Sequence, residues 1–127
     1  MSDKTSYQPD DSEIRMIEER MKDATRKLHA LVSIIGAAET VIEFNSDQRK
    51  NALAGEAKRY IERGDGAANS ENLARASVLY LTKIKDLETA FTEAQRVKYE
   101  WKATMCSYEA ARSLLARQRE TLKTLEG

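Results

Sequence analysis

Between Asn69 and Leu125 the chain carries a pattern that leaves few folds open to it. Read in sevens from Leu73, one column runs Leu73, Tyr80, Leu87, Ala94, Trp101, Tyr108, Leu115 and Leu122, with no charge at any position. The column four residues on reads Ser77, Ile84, Phe91, Lys98, Met105, Arg112 and Arg119. Apolar residues recurring at alternate steps of three and four place one stripe along a helix, and a strand of this length would alternate with a period of two. No Pro or Gly falls between Ala67 and Glu126, so the spacing predicts one long helix over about 70–126.

A second series precedes it: Ile14, Ile17, Met21, Ala24, Leu28, Leu31, Ile35, Ala38, Ile42 and then Asn45. The pattern fails at Arg49 and resumes at Leu53, Ala57, Tyr60 and Ile61. Two readings fit. A continuous helix over 11–63 would absorb the gap as a stutter that locally unwinds the coil. Alternatively, Asn45-Ser46-Asp47 would turn the chain and break the first arm near residues 45–47. Gly64 is placed to adopt the left-handed conformation that ends helices, with Gly66 completing the turn, and Asn69 or Ser70 can cap the next helix. Residues 1–9 are polar, end in Pro9 and read as a disordered tail. Residues 10–127 read as one domain.

A link this short favours antiparallel neighbours. The predicted fold is therefore all-α: a long, coiled-coil-like antiparallel hairpin with arms of about 11–63 and 70–126, each roughly 80 Å long at 1.5 Å per residue. Two features support it. Acids gather at one end (Asp3, Asp10, Asp11, Glu13, Glu18, Glu19) and bases at the other (Arg112, Arg117, Arg119, Lys123), and folding at the glycine turn would bring them together. The same fold places Trp101 opposite Ser33, Gly36 and Ala37, large against small. Two helices bury only a seam, and Val32, Val41, Phe44, Leu79, Val97, Leu114 and Leu125 widen it. A stripe that wide faces more than one neighbour, which predicts a homodimer or higher oligomer forming a helical bundle.

Composition bounds the function. The 21 Lys and Arg balance 21 Asp and Glu, which argues against general polyanion binding, because that binding comes from neutralising several phosphates. A single cysteine, Cys106, permits no internal disulfide and fits a reducing compartment. The polar start predicts no signal peptide. The most apolar run, Ala30–Ala38, is far short of the roughly 20 residues of a membrane span. The expected location is the cytoplasm, without membrane contact.

Few residues invite a chemical reading. His29 is the only histidine, and Arg26 stands where a bundle metal site would carry Glu in a Glu-x-x-His pair. Cys106 lies outside both columns, in mid-helix, with no helix N-terminus to activate its thiol. Gly64-Asp65-Gly66 lacks the Gly-Lys-Ser/Thr and the preceding strand of a phosphate loop. Lys98, Arg112 and Arg119 are more informative, since charges in a seam column need a reason. Their stems can snorkel, they can set register, or, with Tyr99, Lys102 and Trp101, they can meet an acidic protein surface or a nucleic acid. Glu100, Glu109 and Glu120 interrupt that basic face.

Tyr99-Glu100-Trp101-Lys102, followed by Tyr108-Glu109-Ala110-Ala111-Arg112-Ser113-Leu114-Leu115, resembles the C-terminal helix of small bacteriophage proteins of unknown function found near phage recombination genes. The resemblance covers about 30 of the 127 residues, in the last third of the chain, and implies a phage or prophage source. The expected function is thus non-enzymatic and cofactor-free: a homo-oligomeric helical protein acting on an unknown protein partner. In a phage it would serve assembly, act as an adaptor, or inhibit a host system. The rival readings are a nucleic-acid accessory protein contacting its ligand through Lys98, Tyr99, Lys102, Arg112 and Arg119, and a small-ligand binder between oligomer subunits. Gly36, Trp101, Gly64 and Gly66 carry the predicted structural roles.

Overall fold

The computed structural model describes residues 11–126 (the backbone alone for Glu126); the predicted tail at 1–9 lies outside them. The described chain is all-α, with three helices: α1 (Asp11–Glu62), α2 (Ala67–Ala76) and α3 (Val78–Glu126).

α1 runs unbroken through residues 45–47, so the break considered there does not occur. Asn45 is buried. Its Nδ2 donates to the Leu87 carbonyl at 3.3 Å and its Oδ1 accepts from Arg49 Nε at 2.8 Å. An asparagine turns a chain by bonding its own neighbouring backbone; here the side chain is spent on other partners. Arg49 is half-buried and reaches Glu88 at 3.9 Å. The α1 stripe therefore continues through polar residues where the heptad reading saw failure.

The second arm is interrupted instead, at Ser77 (φ −71°, ψ 139°). Ser77 N–H bonds the Ala74 carbonyl at 3.1 Å, and its Oγ accepts the Tyr80 N–H at 3.2 Å. Ser77 thus closes α2 and caps α3, the role for which serine is preferred. The predicted caps also shift. α2 starts at Ala67 with Gly66 as N-cap and no side-chain cap; Ser70 is fully buried, its Oγ donating to the Asp65 carbonyl at 3.3 Å, and Asn69 is exposed.

Gly64 does end α1. Its φ is +106°, Asp65 N–H bonds the Tyr60 carbonyl at 3.1 Å and Gly64 N–H bonds the Ile61 carbonyl at 2.9 Å, the paired bonds of a Schellman stop. Arg63 holds Asp65 through Nε and Nη2 at 3.1 and 2.9 Å. Gly64→Ala is expected to cost about 1–2 kcal/mol, because a Cβ crowds the following carbonyl at positive φ. Gly66 has an ordinary φ of −68°, so Gly66→Ala should cost less. Urea midpoints of the two variants check this, and equal losses would contradict the turn.

The chain divides into two compact units, residues up to Ser33 with those from Tyr99 on, and Ile34–Lys98. In the first, Ile17, Ala111 and Leu115 form a buried cluster against which Ile14, Met21 and Leu114 pack. Further along α1, Arg20 to Lys27 share a groove with Ala103 to Ser107, and Lys27 to Leu31 share one with Tyr99 to Thr104. Rising numbers on α1 thus meet falling numbers on α3, and within this unit the two segments are antiparallel. In the second unit Ala38, Ala74, Leu87, Ala94 and Val97 are buried, and the largest fully buried side chain is Ser70. Alanine and serine make up much of this unit's buried line, with Leu87 and Val97 its larger members.

Two expected packing roles change. All eight positions of the Leu73–Leu122 column are buried or half-buried, as are Ser77, Ile84 and Phe91. Beyond Ala94 the companion positions become Val97, Thr104, Ala111 and Gln118, while Lys98, Met105, Arg112 and Arg119 are exposed. The steps Phe91–Ala94–Val97 insert three residues into the heptad, a local overwinding, and burying a charge costs far more than moving the stripe by one residue to an apolar neighbour. Gly36 is exposed, and a Cβ built on it meets nothing within 4 Å. It stands one residue past Ile35 and off the line that its own unit buries. Trp101 is half-buried.

Candidate contact surface

Displaced from the buried line, the basic residues of α3 form a face of their own. Lys102, Met105, Glu109, Arg112, Ala116, Arg119 and Lys123 recur at steps of three and four, and all are exposed. At 100° per residue that spacing keeps them on one side of the helix. Glu109 pairs with Arg112 at 3.5 Å, leaving Lys102, Arg119 and Lys123 as the cations not matched by an acid within the stripe.

On one flank of this unit, Met21, Lys22, Thr25, Arg26 and His29 of α1 line a shallow groove with Tyr108. Lys22 is 3.5 Å from Glu19 and Arg26 is 3.4 Å from Asp23; both are exposed i,i+3 pairs, each contributing about 0–1 kcal/mol. His29 is exposed at the groove edge. Tyr99, 74% exposed, lies in a different groove with Lys27, Ala30 and Glu100. Of the five residues predicted as contacts, the structure brings Lys102, Arg112 and Arg119 onto one face. It sets Tyr99 beside Lys27 and leaves Lys98 exposed in the second unit. Sequence reasoning missed Lys123 as a member of this stripe, and Lys22 and Arg26 as lining a groove with Tyr108. The signal was present for Lys123, which continues the three-four spacing from Arg119.

Cys106 is exposed. Among the described residues, no group of three or more His, Cys, Asp and Glu is placed to hold a metal. Glu93 is held below the usual carboxylate range by its hydrogen bond from Arg96 (Nη2 to Oε1, 2.6 Å), with the opposing effect of desolvation smaller and the guanidinium charge adding to the shift; it is a surface ion pair. By length and composition alone, α1 is long and apolar enough to cross a membrane, and 17% of its most apolar stretch is buried. The uninterrupted apolar run Ala30–Ala38 is too short for this, and the helix reaches the needed length by including residues such as Glu39 and Glu43.

No known family model, curated protein or solved structure matches the chain.

Proposed function

We infer that this chain is a non-enzymatic helical protein that works through protein–protein contacts, with its arms folded as one antiparallel, coiled-coil-like hairpin and copies of the hairpin joined in a bundle. The observation that carries this is the mismatch between buried and exposed apolar residues. Among the described residues fourteen are buried, half of them Ala or Ser, while Met16, Val32, Ile34, Phe44, Leu79 and Leu81 stay exposed. Helices gain most of their stability by burying an apolar face against a neighbour, and this chain has more such face than its own helices cover. Sedimentation equilibrium at micromolar concentration should give a species of at least twice the 14.4 kDa chain mass; a 14.4 kDa species throughout would remove self-association from the reading. The resemblance of the C-terminal third to small phage proteins favours a role in assembly, as an adaptor, or as an inhibitor of a host system, with the Lys102–Lys123 face offered to an acidic partner.

That same face supports a second reading, a nucleic-acid accessory protein. Four cations along one helix, each neutralising one phosphate, would make affinity for duplex DNA fall roughly 100-fold between 50 and 200 mM salt. Filter binding measures this, and affinity flat across that range retires the reading.

A further inference from the structure

The second arm is two helices where its periodicity describes one, and the difference lies in a single residue. α2 ends at Ala76 and α3 begins at Val78, yet the buried line crosses the break. Ser70, Ser77 and Ile84 recur in sevens, as do Leu73, Tyr80 and Leu87, and all six are buried or half-buried. No Pro or Gly stands between Ala67 and Glu126, and Ser77 is the one non-helical residue in that range. A continuous helix would keep these six residues on one side.

The hydrogen bonds at the break leave the two arrangements close in free energy. In a continuous helix the N–H groups of Ser77, Val78, Leu79 and Tyr80 bond the carbonyls four residues back. At the break, Ser77 N–H bonds the Ala74 carbonyl at 3.1 Å and Tyr80 N–H bonds Ser77 Oγ at 3.2 Å. Val78 and Leu79 hold the first helical positions, whose N–H groups find no partner inside their own helix. These residues are 78% and 58% exposed, so water takes both donors. Every donor is met in either arrangement, and exchanging a bond to water for one to protein is worth little net. Joining also saves the nucleation of a second helix, and α2, with ten residues, is shorter than an isolated helix needs to be to persist. Against joining stands the Ser77 hydroxyl, because serine competes with the helical backbone and favours the capping position.

We propose that Ser77 is the hinge of a two-state arm. With its hydroxyl on the Tyr80 N–H the arm is broken; with that bond released, α2 and α3 join as one helix over 67–126. The hinge sets the direction of α2, and of the Gly64–Gly66 turn before it, relative to the start of α3, all within the second unit. A partner that binds one form more tightly shifts the arm toward it by that difference in affinity. The hinge acts within one chain and does not depend on self-association.

The test is residue-resolved NMR on the full chain, reading the Cα carbon shift of residue 77 and amide hydrogen exchange at Val78 and Leu79. Circular dichroism confirms that each variant folds. Wild type is expected to show an extended shift at Ser77 and fast exchange at Val78 and Leu79. Leu81, whose N–H bonds the Ser77 carbonyl at 3.0 Å, should be protected. Ser77→Ala removes the cap and supplies the best helix former, which together move the ratio of broken to joined arm roughly tenfold toward the joined form. Residue 77 then shifts toward helical values and both amides slow severalfold. Ser77→Thr keeps a capping hydroxyl and should behave as wild type. If Ser77→Ala retains the extended shift and fast exchange, packing alone fixes the break and the hinge falls. Protection at Val78 and Leu79 in wild type also overturns it, because the arm is then one helix in solution. Equal slowing in Ser77→Thr and Ser77→Ala would show that the hydroxyl does not hold the break, with the same result.

Discussion

Leu115→Ala is expected to destabilise the chain by about 3 kcal/mol. Leu115 is 6% exposed and closes on Ile17 and on Ala111, itself 1% exposed. Truncating it removes most of the apolar volume that α3 contributes to this cluster. Buried Leu→Ala changes cost about 2–5 kcal/mol, the spread reflecting how far the site can collapse. Here Ile14, Met21 and Leu114 are half-buried and can shift inward, while Ala111 has no volume to give, which places the value in mid-range. Arg112→Ala is the informative companion. If Arg112 filled the seam column that strict heptads assign to it, its loss would disturb packing. As an exposed residue paired only with Glu109 at 3.5 Å, it should change stability by no more than about 0.5 kcal/mol. Urea denaturation with an unchanged slope measures both. A loss below about 1 kcal/mol for Leu115→Ala would mean that the Ile17–Leu115 contact does not form in solution.

That pair of substitutions probes what the sequence left undecided. The column from Leu73 to Leu122 was legible because an uncharged residue every seventh position can serve only a buried helix face, and each of its members is buried or half-buried. The α1 series to Asn45 was legible on the same ground, and Gly64 because a helix stop at positive φ selects glycine. The register beyond Ala94 was not legible. Val97 and Lys98 are adjacent, strict sevens choose the lysine, and only the desolvation of a charge decides for the valine. Ser77 carried two meanings, a small seam residue and an N-cap; with no Pro or Gly nearby, the heptad count concealed the second. Asn45 was ambiguous in the opposite sense, since its use as a turn former or as a partner for Arg49 and the Leu87 carbonyl depends on what stands beside it. For the candidate contact surface, Lys102, Arg112 and Arg119 share one exposed face of α3, where strict heptads assign Arg112 and Arg119 to the seam. Their exposure follows from the same one-residue shift that buries Ala111 and Gln118.

Trp101→Ala should cost about 2 kcal/mol, less than the 3–5 typical of a fully buried aromatic, and the difference tests how its environment is built. The sequence reading set Trp101 into a recess made by Gly36 and expected the full penalty. The structure leaves Trp101 half-buried and Gly36 open, with nothing within 4 Å of a built Cβ. An indole exposed on one side forfeits only part of its transfer free energy when truncated, and water refills the site without leaving a cavity. Gly36 then carries no packing duty, so its flexibility is a net cost in mid-helix: Gly36→Ala should stabilise the chain by about 0.8 kcal/mol. The two outcomes are linked. If Trp101→Ala costs more than about 3 kcal/mol and Gly36→Ala destabilises, the tryptophan and the glycine depend on each other in solution. If Trp101→Ala costs about 2 kcal/mol while Gly36→Ala stabilises, Gly36 carries no packing duty and the indole does not depend on it.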